Sequence, residues 1–471
     1  MILDEEFSDK FTKLLHDSGY RNNLESFVNL LRWTRVPFLK RNGLFMAVMQ
    51  TNMLRYLVAF QKELRRLEKE SKATTDVKEK SEVERKILIE KQWIRTLYTI
   101  ADGIAWRAYG FNRPLLRVMS ENSSPGDISQ IDYDYVALLR RVLANAPRST
   151  FRIANDLTRF LRIADFTVFY PDGRVILYEI KEKGKKIFDV GSILNEMKLH
   201  RVKPNPQKFR HLVAQMAVIN NKIDVPIIQG NKITSRLEVE ILDLDFPIHT
   251  HLKKLKGLIK KADKNVIATE LVEDGYYIQV LALDRIKKGH DSESTKRQMD
   301  AAPEWIKECG GSTIKIGSWD AFLEAGTEFP RNILPYSVLP FSAKDCARII
   351  LGYVRISVFI KVESLKEKLI EEGWDVVVKD PTDGFAHNSK RSGEPMFSKN
   401  HEDVLFQLKR SDETGTYNTS VLLTQLLIMG SSFYSFRFIT DGAMEMFKRA
   451  KLDRATRSIS INYLGERKVL R

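Results

Sequence analysis

The sequence predicts an α/β protein with a helical amino-terminal region over 1–90, a central α/β domain over 91–240 and a second α/β domain over 241–471. Three features lead there. Apolar residues recur at helical spacing through roughly the first 115 positions. At Phe151 the pattern changes to short apolar runs separated by turn residues, as strands require. Beyond position 240 such runs alternate with amphipathic stretches. A chain of 471 residues, 43% hydrophobic and 29% charged, can bury a sizeable core in each region, which excludes global disorder.

Leu44 to Leu64 reads as an apolar-striped helix that passes into the charged stretch Lys62 to Lys80, where polar Ser71 to Asp76 suits a connection. Ser81 and Glu84 match a capping box, in which hydroxyl and carboxylate each satisfy a free backbone N–H; a second helix is expected from there to Gly110. Trp93, Leu97, Ile100 and Ile104 form one apolar stripe on it, and Tyr98, Ala105, Trp106 and Tyr109 another. A helix apolar on two sides is usually held between layers. After the Ser/Asn/Pro-rich Ser120 to Asp127, Tyr133 to Ala146 reads as a helix. Ile163 to Tyr170 and Val175 to Lys181 read as strands, Lys203 to Asn221 as a helix and Val225 to Gln229 as a short strand. Further on, Val266 to Leu271 and Tyr276 to Leu283 bracket a hairpin turn. Ser364 to Glu372 is helical, stops at Gly373 and leads into the strand Trp374 to Lys379; Lys379 to Asn400 reads as a polar loop.

Lys and Arg exceed Asp and Glu by 76 − 61 = 15, and the pI is near 9.5, which favours a polyanionic partner. The two cysteines, Cys309 and Cys346, exclude a disulfide framework and a cysteine-rich zinc site and fit a reducing cytosol. Met1 to Glu6 is acidic where a signal peptide is basic, and no apolar run reaches the roughly 18 residues of a spanning helix. The expectation is a cytoplasmic protein with no membrane contact. The sequence has no phosphate loop, H-E-x-x-H or G-x-S-x-G pattern, and His249 and His251 read as loop or strand-surface residues.

The segment that carries chemistry is Ile163 to Lys181. Pro171-Asp172-Gly173 suits a type I turn followed by glycine at positive φ, which closes a three-residue hairpin loop. Tyr170 then pairs with Arg174, so paired residue numbers sum to 344 and Asp165 lies opposite Glu179. Lys181 is two residues further along the same face. A loop one residue longer would send the two acids to opposite faces. Opposed carboxylates about 5 Å apart destabilise a sheet unless a cation sits between them, and hard oxygen ligands suit Mg²⁺, with Mn²⁺ as a substitute. Lys181 would then stabilise developing negative charge or orient an attacking water. Solvated charges on an edge hairpin would present the same residue types, but the opposed acids weigh against that.

Asp165, thirteen intervening residues and then Glu179-Ile180-Lys181 resemble the PD-(D/E)xK nuclease superfamily over about residues 90–230. The resemblance implies a restriction-endonuclease-like central mixed sheet with helices before and after the catalytic hairpin. It implies that Asp165 and Glu179 bind Mg²⁺ and that Lys181 assists attack on a phosphodiester, making the protein an endonuclease. Two departures stand out: Ala164 replaces the proline before Asp165, and a literal Pro171-Asp172 falls at the turn tip. Asp102 matches the acidic residue this superfamily often carries on its first helix, although a surface pair with Arg107 would serve as well. Gln207 and Gln215 match its polar helper on the following helix. Asn155 and Asp156 suit a cap for the Leu157 to Leu161 turn.

Between Glu179 and Arg210, nine Lys/Arg residues outnumber four Asp/Glu. Lys183, Lys185, Lys186, Arg201, Lys208 and Arg210 form a cationic rim suited to phosphate contacts. Lys253 to Lys264 is a second basic stretch that reads as a surface helix or a nucleic-acid contact. The reading is a Mg²⁺-dependent nuclease acting on DNA, by analogy in restriction or anti-phage defence. Its partners would be DNA together with a second copy of the chain or a defence-system protein. The alternative is a non-catalytic nucleic-acid-binding or assembly subunit on the same fold.

Overall fold

The computed structural model describes residues 43–111, 150–159, 165–169, 175–178, 212–219, 222–229, 232–244, 248–285, 313–316, 335–378, 404–413, 415–450 and 459–463, with 28, 31–32, 116, 136–137, 143 and 161 as isolated positions. Two compact units divide the chain. One holds Arg32–Asp243 and Ser458–Asn462; the other is built chiefly from Leu244–Arg457. Both mix helices with antiparallel sheets, a mixed α/β architecture. No described helix is long and apolar enough to cross a membrane.

In the first unit, α1 (Gly43–Ala73) and α2 (Val77–Ala108) form a helical hairpin. Phe60 stacks on Trp93 at 6.2 Å, and Gln61 Nε2 donates to the Tyr98 hydroxyl at 3.3 Å. The connection is shorter than the composition suggests, because α1 continues through Ser71 to Ala73. The expected capping box at Ser81 is also displaced: Asp76 is the cap, its carboxylate accepting from Glu79 N at 2.8 Å. An acid at that place satisfies a free donor and opposes the helix dipole. Every residue from Thr96 to Trp106 on α2 is buried, as its two apolar stripes require, and Gly110 follows at φ +61°.

The sheet runs β1 (Phe151–Ala154), β2 (Phe166–Phe169), β3 (Val175–Tyr178), β4 (Leu212–Ile219), β5 (Lys222–Gln229) and β6 (Lys232–Leu244). Each pairs antiparallel with the next. A mixed sheet was expected; the described pairs from β1 through β6 are antiparallel throughout. Residues 212–219, inside the expected helix, form β4 instead. The run Leu212 to Ile219 is nearly all apolar, with β-branched Val213, Val218 and Ile219, and suits a strand covered on both sides.

β1 is an edge strand, and α1 closes it. Gln50 Nε2 donates to Arg152 O and Gln50 Oε1 accepts from Ala154 N, both at 2.9 Å. One buried side-chain amide thus bonds the side of β1 that no described strand pairs with, a means of protecting an edge.

In the second unit, α3 (Leu252–Asn265) covers the hairpin of β7 (Ile267–Glu273) and β8 (Tyr276–Ala282). Asp274 and Gly275 make the turn, with Gly275 at φ +71° and packed so close to the Ser364 side chain that a Cβ would collide with it. The four-stranded sheet adds β9 (Thr313–Ile316) and, preceded by α4 (Ala343–Ile350), β10 (Val354–Lys361) in the order β7-β8-β10-β9. α5 (Val362–Glu371) ends before Gly373 at φ +83°, and β11 (Asp375–Val378) follows as expected. β11 joins β12 (Val404–Asp412) and β13 (Gly415–Leu422); α6 (Leu423–Ser432) and α7 (Arg437–Ala450) come after.

Candidate active site

The hairpin register is the sharpest expectation, and the described ladder meets it. Phe166 pairs with Tyr178, Thr167 with Leu177, Val168 with Ile176 and Phe169 with Val175; each pair sums to 344. Asp165 stands one place before β2, half-buried, and its carbonyl accepts from Asn155 N at 2.8 Å. The β1–β2 pairs sum to 320, as do 155 and 165, so Asp165 keeps its place in the ladder on the β1 side. On the β3 side the described ladder ends at the Phe166–Tyr178 pair.

Glu179 and Lys181 lie outside the described residues, as do Lys183, Lys185, Lys186, Arg201, Gln207, Lys208, Arg210 and the Pro171 to Gly173 turn. Gln215 lies on β4 opposite Ile176, so its expected helical position is corrected to a strand register. Among the described residues no three His, Cys, Asp or Glu side chains gather as a metal cluster. The donor chemistry at residues 165 and 179 is two carboxylates, a set suited to Mg²⁺ or Mn²⁺.

On the same face of β2 as Asp165 lies a buried polar framework. Thr167 and Phe169 share one face of β2 with Asp165, and Tyr109, directly after α2, reaches that face. The Tyr109 hydroxyl donates to Thr167 Oγ1 at 3.4 Å, Thr167 Oγ1 donates to Asn155 Oδ1 at 2.9 Å, and the Tyr109 and Phe169 rings meet edge-on at 4.9 Å. Burial pushes the Tyr109 phenol up, so it stays a neutral donor. Asn155 Oδ1 thus accepts from Thr167, and in the turn that follows Thr158 Oγ1 accepts Leu161 N at 2.9 Å.

Asp102 sits on α2 seven residues before Tyr109, hence on the same helix face. It is fully buried and does not pair with Arg107. Its Oδ1 accepts Arg159 N at 2.8 Å and its Oδ2 takes Arg159 Nε at 2.5 Å, which fastens the loop between β1 and β2 to the helix. Residues five apart on a helix lie on different faces, so Arg107 was never well placed. The carboxylate ties the segment after β1 to α2. Gln50, Thr167 and Arg159 join it as positioning residues. None bears a motif signal, because each acts through a contact distant in sequence.

The second unit holds a half-buried ionic centre. Glu273 Oε1 accepts Lys368 Nζ at 2.7 Å, while Oε2 accepts Phe436 N at 3.0 Å and lies 3.2 Å from His251 Nε2. Burial raises its carboxyl pKa, but the His251, Lys368 and Phe436 contacts overcome that and hold it at about 2. His251, expected at a surface, is buried against the Tyr276 ring at 4.8 Å. Both carboxylate oxygens are engaged, so this centre pins α3, the β7–β8 hairpin, α5 and α7 together. Arg348 does similar work, reaching Asp284 at 2.7 Å and Asp263 at 2.6 Å.

No family model matches this sequence, and neither a curated protein nor a solved structure matches it.

Proposed function

We propose that the protein is a divalent-metal-dependent nuclease of the PD-(D/E)xK kind, acting on DNA. The observation that supports the reading is the β2–β3 register, which, if it continued by one place, would bring Asp165 across from Glu179. Two carboxylates at that spacing would hold Mg²⁺, which supplies charge neutralisation at the scissile phosphate and acidifies a bound water. Lys181, on the same face, would steady the attacking water or the developing charge on the phosphate. The Lys183 to Arg210 cations would grip the phosphate backbone in a sequence-independent way. The buried framework of Asp102, Arg159, Asn155 and Thr167 keeps the hairpin still, as a site of this kind demands. Restriction or anti-phage defence is the setting that suits such an enzyme by analogy.

Cleavage of plasmid DNA by the full chain tests this. Nicking or linearisation is expected with Mg²⁺ or Mn²⁺, and is lost with EDTA and in Asp165→Ala, Glu179→Ala and Lys181→Ala. Equal cutting by Lys181→Ala, or cutting without a divalent ion, refutes the mechanism. Metal-independent DNA binding with no cutting under any of these conditions would leave the non-catalytic subunit as the reading.

A further inference from the structure

We propose that the solvent face of α3 is a binding surface for the phosphate backbone of duplex DNA. The helix has spent its apolar side already: Leu255, Leu258, Ile259 and Ala262 are buried against β7 and β8. Its other side exposes Lys253, Lys254, Lys256, Lys260, Lys261 and Lys264. At about 100° and 1.5 Å per residue, positions 253, 256, 260 and 264 fall within an arc of roughly 80° and form a row about 16 Å long. Lys254 and Lys261 flank the row and are committed elsewhere, to Val272 O at 2.5 Å and Glu270 at 3.6 Å. Among the described residues the four in the row make no ion pair. The helix's single carboxylate, Asp263, is taken by Arg348 at 2.6 Å and Arg285 at 3.7 Å and does not neutralise them.

Gly257 lies beside the row, and a Cβ there would meet nothing within 4 Å. Among the described residues all four lysines of the row are exposed. An anionic membrane fits poorly, since an interfacial helix needs its apolar side at the acyl boundary and here the core has claimed it. A duplex offers about one charge per 1.7 Å of axis, a dense and straight anion array for a straight cation row, and gains affinity by releasing counterions. This surface belongs to the unit that lacks the hairpin, so the inference stands whether or not residues 165, 179 and 181 catalyse.

The test is fluorescence anisotropy of the full chain with a duplex of about 30 base pairs, in EDTA, across a salt series. In K253Q/K256Q/K260Q/K264Q the slope of log K against log salt should become less negative by about 3 to 4, at roughly 0.9 per lost phosphate contact. Affinity at low salt should fall at least about tenfold, equally for unrelated sequences. K72Q/K78Q/K80Q/K86Q removes the same charge from exposed positions on α1 and α2 and should leave the slope unchanged. Both sets are solvent-exposed, and matching thermal unfolding confirms intact folds. An unchanged slope in the α3 variant, an equal loss in the control set, absence of duplex binding by the wild type, or loss of phosphatidylserine-vesicle binding in place of duplex binding overturns the proposal.

Discussion

Replacing Asp102 with Ala should damage stability far more than a surface carboxylate would. Its side chain is fully buried, and it satisfies both the Arg159 backbone N–H and the guanidinium, itself only 9% exposed. Deleting the acid strands a buried cation and an amide together. Breaking a buried pair this way costs about 3–5 kcal/mol, against about 1 kcal/mol for one neutral hydrogen bond. For a unit of this size each kcal/mol moves the midpoint by about 2–4 °C, so a fall of about 6–20 °C is expected. Urea denaturation and calorimetry measure it. Asp102→Leu combined with Arg159→Met should recover most of the loss, because the stranded charge goes too. A loss below about 1 kcal/mol in Asp102→Ala, with cleavage abolished, would refute the reasoning and move this carboxylate from scaffold to metal.

Gln50→Ala removes both bonds that close the β1 edge and should cost about 1–3 kcal/mol; hydrogen exchange at the Ala154 amide should accelerate. Glu273 stays ionised in the folded chain down to about pH 2, below its ordinary value of 4.5. Its depressed pKa adds stability above the ordinary value, and that stability drains away as pH falls from about 5 towards 2, since the unfolded chain then binds the proton first. Glu273→Gln should flatten the stability profile over that window, measured by urea midpoints. Asp165→Cys with Glu179→Cys should form a disulfide readily under mild oxidation, because a β2–β3 register continued by one place would bring them within disulfide reach. Asp165→Cys with Ile180→Cys, facing opposite sides, should not; a reversed preference contradicts the register.

The β2–β3 hairpin was legible because Pro171-Asp172-Gly173 dictates loop length, and loop length dictates register. The stop of α5 at Gly373 was legible for a similar local reason. β4 was misread because Val213, Ala214, Met216 and Ala217 also satisfy helical spacing, and a short apolar run carries both periods. The start of α2 was misplaced because two acceptable capping signals, Asp76 and Ser81, lie five residues apart; Asp76, directly after the turn, takes the role. The supports of the site were beyond reach of the sequence. Gln50 meets β1 across 102 positions and Asp102 meets Arg159 across 57, and no local pattern encodes such partners.

Binding of Mn²⁺ followed by electron paramagnetic resonance tests the metal seat most directly. One ion per chain should bind to the wild type, with affinity falling at least about tenfold in Asp165→Ala and in Glu179→Ala, and little altered in Asp102→Asn. Wild-type affinity in both single acid variants would contradict a seat between them.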